Sequence, residues 1–184
     1  MTRVTNSMTA NDQEEYRALR STIRERGTAR VWIFVAGIAA WAAILVATAA
    51  LAAPPAGVLI PLLVLASTFE AVYGLHIGVE RIGRYIQVVY EDRLPAWETV
   101  AMAFGRPAGS VRTDALFSVP FGLAAVMNIV PGLLVGATRE ELIFLAGAHA
   151  LFLLRIVVAR AGAGRQRAID LERFQKMKRE MSGR

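Results

Sequence analysis

Residues 69–92 read FEAVYGLHIGVERIGRYIQVVYED, a segment that begins in hydrophobic sequence and becomes charged without an intervening proline. At about 100° per residue, its polar residues fall mainly on one side of a helix. That side carries Glu70, Tyr73, His76, Ile77, Glu80, Arg81, Arg84, Gln87 and Glu91, and the other carries Leu75, Val79, Ile82, Ile86 and Val89. Because the polar side starts within apolar sequence and ends outside it, the pattern predicts one continuous helix that leaves a membrane.

The composition also indicates a membrane protein. The chain has 184 residues, of which 55% are hydrophobic, too apolar for an ordinary soluble domain. Residues 31–53 and 115–138 contain no charge, while 57–79 and 142–160 are hydrophobic segments interrupted by Glu70 and by Arg155 with Arg160 respectively. Each is long enough to cross a hydrocarbon core of about 30 Å. We therefore predict an all-α membrane bundle of four transmembrane helices, with helices 1, 2 and 4 extended into the cytoplasm.

The positions of Lys and Arg predict the orientation. The polar segments 1–30, 80–114 and 161–184 hold nearly all of the basic residues, so the positive-inside rule places them and both termini in the cytoplasm. They are expected to form an N-terminal helix, a short helix with a loop, and a basic C-terminal helix. The net charge of +6 follows from this rule, which argues against nucleic acid as a partner. The abundance of Arg and Ala indicates a bacterial chain, so we expect the cytoplasmic (inner) membrane.

Two intramembrane residues of opposite charge lie at similar predicted depth. Glu70 and Arg155 are both about 20 Å below the outer edge at 1.5 Å per residue, so an ion pair between them is geometrically possible. Alternatively, Arg155 extends to the inner surface and Glu70 is protonated or hydrogen-bonded to a neighbour. Gly74 and Gly78 beside the polar side predict a close helix crossing.

Asn128 and His149 also lie at similar depth on neighbouring spans, which predicts a hydrogen bond between them. His76 is expected near the opposite leaflet from His149, which disfavours a haem held by both. His76 and Glu80, four residues apart, could contribute to a metal site with Glu70 or Glu91. The sequence identifies no cofactor, and without cysteine it has no disulfide, thiolate nucleophile or Cys-bound metal.

Local signals predict several helix ends. Asn11 with Glu14 resembles a capping box, and helix 1 is expected to run from residue 11 to 53. Helix 2 should continue to about Asp92. Pro120 and Pro131 predict a kink near Phe117 or Met127, and Thr138 ahead of acidic residues predicts the cap of the last helix.

The sequence contains no enzymatic motif that would assign a reaction. The leading hypothesis is a non-enzymatic membrane protein that works by assembly in the lipid bilayer. It would be either a channel-like homo-oligomer or an accessory subunit bound to other membrane subunits. In the channel version, Glu70 and Tyr73 line the lumen, and the inner mouth is formed by Glu80, Arg81 and Arg84. Alternatives are an ion- or proton-coupled transporter using Glu70 and His76, and an intramembrane metal or cofactor protein.

Overall fold

The computed structural model describes residues 8–91, 97–104 and 115–183. Helices account for 91% of these residues, and the described ranges contain no strand, so the predicted all-helical class is confirmed. The elements are α1 (Ala10–Ala50), a 3₁₀ turn (Pro55–Val58), α2 (Leu59–Val89), α3 (Trp97–Phe104), α4 (Ala115–Asn128), α5 (Val130–Leu134) and α6 (Arg139–Ser182).

Within the described ranges, three helical segments are long and apolar enough to cross a membrane: α1, α6, and the 3₁₀ turn continued by α2. Their large apolar side chains also point outward, because Trp32 on α1, Leu63 on α2 and Leu151 on α6 are each more than two thirds exposed. Such outward apolar surface along long helices is typical of a membrane protein. Residues 118–134 form a shorter apolar helical segment.

The chain divides into two compact units, and α1, α2 and α6 each contribute a segment to both. The unit that contains the hydrophobic segments, here called the apolar unit, comprises Arg30–Gly74 and Arg112–Gly162. The other, here called the polar unit, comprises Met1–Ala29, Leu75–Val111 and Ala163–Arg184.

Phe69 of α2 lies at the centre of the core of the apolar unit. Its ring meets Phe121 of α4 and Phe152 of α6 edge-on, with ring centroids 5.3 and 5.9 Å apart. Edge-to-face rings at this spacing add to the energy of apolar burial. The buried residues of this core are Trp41, Leu62, Leu65, Phe69, Val72, Phe121, Ala124, Ala125, Phe152, Ile156 and Ala159. One aromatic side chain thus joins three helices.

Gly37 allows α1 to lie directly against α2. A Cβ at Gly37 would overlap the Thr68 side chain and lie 2.8 Å from Thr68 Cβ. Small residues at such crossings let helix backbones approach closely in membranes. The Ala-rich character of α1 is compatible with close packing, but the particular residue at the crossing is seen only in the structure.

Gly37→Ala should therefore destabilise the protein by roughly 1–3 kcal/mol, because the added methyl group forces the helices apart. Without the helix crossing, alanine in place of glycine would stabilise the helix by about 1 kcal/mol. A loss of stability therefore indicates steric overlap at the crossing. Gly147→Ala is the matched control, since a Cβ there meets no atom within 4 Å. Thermal unfolding in a mild detergent measures both. A Gly37→Ala variant as stable as the control would contradict the crossing.

In the polar unit, a chain of aromatic rings joins the three long helices through Tyr90, which follows α2 and packs against Tyr85 with ring centroids 6.1 Å apart. Tyr16 of α1 packs against Tyr90, and Tyr85 of α2 packs against Phe174 of α6, with ring centroids 5.6 and 5.5 Å apart. The Tyr85 hydroxyl donates to Glu15 Oε1 at 2.8 Å. Burial, followed by the effect of the nearby Glu15 carboxylate, raises the pKa of Tyr90 well above its ordinary value. The Tyr90 phenol therefore stays neutral at physiological pH.

Several predicted helix ends require correction. The capping box of α1 uses Thr9 and Asp12, whose side chains each accept from the other's backbone N–H, and not Asn11 with Glu14. Helix α1 ends at Ala50 rather than residue 53, and α2 ends at Val89 rather than near Asp92. Asp92 itself is outside the described residues.

The third hydrophobic segment is not one continuous helix over residues 115–138. It breaks at Ile129, two residues from the Met127 position predicted for a kink, and α5 then ends at Leu134. Pro131 has no backbone N–H to donate to the Met127 carbonyl, so one hydrogen bond of the helix is missing here, while Ile129 keeps helical φ and ψ of −77° and −21°. The cap predicted at Thr138 is confirmed, since Thr138 Oγ1 accepts from the Glu141 N–H at 3.3 Å and Glu141 accepts from the Thr138 N–H.

Candidate functional site

Glu70 of α2 and Arg155 of α6 form an ion pair within the apolar unit. Arg155 Nη2 donates to Glu70 Oε2 at 2.8 Å. Of the two alternatives that the sequence left open, the structure therefore contains the pair. The sequence predicted that Glu70 and Arg155 lie at equal depth, because each residue of a helix adds the same rise. That equality made them candidate partners.

Two aromatic rings hold Arg155 in this position. Its guanidinium carbon lies 5.3 Å from the centroid of Tyr73 and 6.0 Å from that of Phe69. The two rings are themselves stacked, with centroids 5.9 Å apart and planes 7° from parallel. A cation over aromatic faces is attracted to them, more strongly where water is excluded. Arg155 thus lies against α2 instead of extending along α6.

The ion pair is on the outside of the apolar unit. The Glu70 side chain is 49% exposed and the Arg155 side chain is 40% exposed. Around it the surface is apolar or small, and Ser67, Ala71 and Gly74 are exposed on the same face of α2. A Cβ on Gly74 would meet no atom within 4 Å, so within the described chain Gly74 makes no close helix crossing.

Gly78, the other residue of the predicted crossing, belongs to the polar unit. There a Cβ would lie 2.8 Å from Arg26 Nη1, so glycine makes room for an arginine side chain of α1. The two glycines thus have different surroundings, although they are one helical turn apart.

Asn128 forms a buried hydrogen-bond network across the apolar unit. Its Oδ1 accepts from the Trp41 indole N–H at 2.9 Å, and its Nδ2 donates to the Val58 carbonyl at 2.8 Å. Nδ2 also lies 3.0 Å from His149 Nε2, which confirms the predicted Asn128–His149 contact. His149 Nδ1 lies 2.7 Å from the Leu145 carbonyl. The network assigns the proton to Nδ1, so that Nε2 accepts from Asn128.

This network connects α1, the 3₁₀ turn, α4 and α6. Asn128 is fully buried and His149 is 5% exposed. Both ring nitrogens of His149 have partners, which leaves neither for a haem iron. The arrangement therefore serves packing. Sequence reasoning missed Trp41, although a Trp in the middle of a span needs an acceptor for its N–H.

Two charged residues of α2 in the polar unit, Glu80 and Arg81, bind α6. Glu80 Oε2 lies 2.9 Å from Arg167 Nε and 3.3 Å from Arg84 Nη2. Arg81 Nε lies 3.4 Å from Asp170 Oδ2. Arg84 and Asp170 are buried. Arg167 and Asp170 were not singled out from the sequence, where they look like any other charges in a basic segment.

The metal hypothesis finds no support in the part of the chain that the structure describes. Those residues contain no group of three or more His, Asp or Glu side chains that could hold a metal ion. Glu80, a proposed ligand, is taken up by two arginines. His76 is half-buried in the polar unit, whereas Glu70 belongs to the apolar unit.

The polar unit also has an open cavity of about 400 Å³. It is lined by Gln87, Val88, Glu91, Thr99, Leu171, Gln175, Lys178 and Arg179. Several of these groups bind one another: Lys178 Nζ donates to the Val88 carbonyl at 2.7 Å, and Glu91 accepts from the Thr99 N–H at 2.8 Å. We therefore assign no ligand to this cavity.

Comparison of the chain with protein-family models, curated proteins and solved structures found no match. The evidence for function is therefore the chemistry of the side chains themselves. The buried Asn128 network is satisfied within the chain. The Glu70–Arg155 pair, in contrast, presents charge at the surface of the apolar unit, so it is the candidate functional site.

Proposed function

We propose that this chain is a non-enzymatic, multi-pass protein of the bacterial inner membrane that works by lateral assembly with membrane-embedded protein. The observation that carries the proposal is the exposed Glu70–Arg155 pair on an otherwise apolar surface. In this proposal a protein partner covers the pair in the membrane.

The position of the pair gives the physical reason. Glu70 lies well inside the candidate span Pro55–Val89, about 20 Å below the predicted outer edge of a hydrocarbon core of about 30 Å. Insertion of a charged side chain at that depth costs about 2.5–3.5 kcal/mol even on the most permissive scales. Pairing lowers this cost, but half-exposed charges still face hydrocarbon. A polar partner surface would remove that exposure.

The proposal includes four membrane crossings, with residues 1–30, 80–114 and 161–184 in the cytoplasm. The segment from Ala115 to Leu134 contains 20 residues, enough for about 30 Å of helix despite its break. Its far end supports a crossing, because a Cβ on Gly132 would lie 3.5 Å from the Pro55 carbonyl oxygen and from Val58 Cγ1. The segment thus ends beside the turn that begins α2, the predicted outer side.

The ion pairs favour docking over conduction. In a channel, Glu70 and the Glu80–Arg84 turn would face water in a lumen. Here Glu70 is bound to Arg155, and Glu80 is bound to Arg84 and Arg167. The same contacts weaken the transporter alternative, since a proton relay needs a carboxylate that is free to exchange protons. We therefore favour the accessory or self-associating role without a lumen along this face.

Native mass spectrometry of the protein, tagged at its C-terminus and extracted gently from its own membrane, tests the proposal. We expect an assembly larger than one chain and no chromophore in the absorption spectrum of the same sample. The double variant Glu70→Gln with Arg155→Gln should reduce the assembled fraction about tenfold, because it removes the charges that need cover.

The matched control is Arg139→Gln with Glu140→Gln, which removes one charge of each sign at the start of α6. This pair should leave the assembled fraction unchanged. A wild-type protein that is monomeric throughout would contradict assembly, and a bound pigment or metal would instead favour a cofactor protein.

A further inference from the structure

We infer that the partner on the Glu70–Arg155 surface is a second copy of this chain, related by a two-fold axis along the membrane normal. The inference rests on the proposed function and names its partner. It commits to this face of α2, with Ser67, Ala71 and Gly74 at the contact.

The surface is complementary to itself. It presents one negative and one positive side chain at the same depth, since their charged atoms are 2.8 Å apart. A two-fold rotation about the membrane normal keeps depth and membrane orientation unchanged. It can therefore bring Glu70 of one copy to Arg155 of the partner subunit, and the reverse contact follows by symmetry. The four charges would then alternate in sign.

The pair has bonding capacity for such a contact. Across the described chain, one hydrogen bond joins the two side chains, from Arg155 Nη2 to Glu70 Oε2. Among the described residues, no hydrogen bond uses Glu70 Oε1 or the other N–H groups of Arg155, and a guanidinium can bind two carboxylates. Arg155 is also held in place by the stacked Phe69 and Tyr73 rings, so little side-chain freedom is lost on docking.

Small residues next to the pair allow the two copies of α2 to approach. Ser67, Ala71 and Gly74 recur at intervals of four and three residues on the exposed face. At this spacing they form a continuous small-residue surface suited to close helix contact in lipid. An unrelated partner would have to supply an opposite charge pair at matching depth. A second copy has the same charge pair at the same depth, because it has the same sequence and the same orientation in the membrane.

Disulfide cross-linking in native membranes tests the contact, because the natural chain contains no cysteine. Ala71→Cys should form a dimer at twice the 20.0 kDa chain mass under mild oxidation. Leu154→Cys is the control: it is 57% exposed and adjacent in sequence to Arg155, yet it projects about 100° away around α6. We expect about tenfold more dimer from Ala71→Cys. Equal yields, or no dimer from Ala71→Cys, would overturn the inference.

A charge-sorting experiment separates contacts between copies from the pair within one copy. In the Ala71→Cys background, a Glu70→Arg chain carries two positive charges and an Arg155→Glu chain carries two negative charges. Expressed alone, each should lose most of its dimer through repulsion. Expressed together with different tags, the two should recover a mixed dimer, although neither can form its internal pair. Failure to recover the mixed dimer would count against the two-fold contact.

The outcomes distinguish this inference from the proposed function. Stoichiometric foreign subunits in native mass spectrometry, without the Ala71→Cys dimer, would overturn the second copy but leave lateral assembly standing. A monomer in both experiments would overturn both.

Discussion

Replacing Asn128 with leucine should destabilise the apolar unit by about 2–4 kcal/mol. Leucine has a similar volume, so the change removes hydrogen bonds without leaving a large cavity. It leaves the Trp41 N–H, the Val58 carbonyl and His149 Nε2 without the partner that they share in the wild type. Each lost interaction is modest in a membrane, but three depend on this one side chain.

Thermal unfolding followed by tryptophan fluorescence is a suitable measurement, because Trp41 is 7% exposed and part of the network. We expect the Tm to fall by on the order of 10 °C. Met127→Leu is the control, since Met127 is adjacent but 59% exposed on the apolar surface. The double variant with His149→Leu should cost less than the sum of the single changes. An unchanged Tm for Asn128→Leu would show that the network contributes little.

The helical class, the presence of long apolar helices and two contacts between polar groups could be predicted from the sequence. Long apolar segments predict helices because backbone groups in lipid must be satisfied internally. The constant rise per residue then converts sequence position into depth. That conversion brought Glu70 to Arg155 and Asn128 to His149, two contacts that the structure contains.

Two features could not be predicted in this way: the rotation of each helix about its own axis, and the further residues that join a predicted pair. Depth alone does not say that Glu70 faces outward while Asn128 faces inward. Nor does it identify Trp41, which reaches Asn128 from a helix 87 residues earlier in the chain. Rotation depends on packing, such as the overlap that a Cβ at Gly37 would make with Thr68. One hydrophobic sequence pattern is compatible with several such arrangements.

The two polar groups of the apolar unit show why rotation matters for function. Asn128 is fully buried and its amide groups have partners inside the chain, so it stabilises one copy and needs no other. Glu70 and Arg155 are 49% and 40% exposed, so in the membrane position proposed for them a covering partner would lower their energy. Polarity alone does not distinguish these roles, whereas polarity combined with exposure does.

Replacing Glu80 with alanine should destabilise the polar unit by about 2–3 kcal/mol. The Glu80 carboxylate forms ion pairs with Arg84 of α2 and with Arg167 of α6. Without it, two guanidinium groups remain close together, and the Arg84 side chain is only 6% exposed to water. The expected loss is below that of a fully buried pair, because the Glu80 side chain is itself 27% exposed.

Hydrogen exchange locates this loss, because the contact joins α2 and α6 within the polar unit. Amides of residues 75–91 and 163–175 should exchange faster by about tenfold or more in Glu80→Ala, while those of residues 59–74 should change little. Glu180→Ala is the matched control, since its pair with Lys176 is exposed on α6 and contributes less than about 0.5 kcal/mol. Faster exchange confined to residues 59–74, or equal effects of the two substitutions, would contradict the role given to Glu80. The expected pattern would show that Glu80 joins α2 to α6 within one chain.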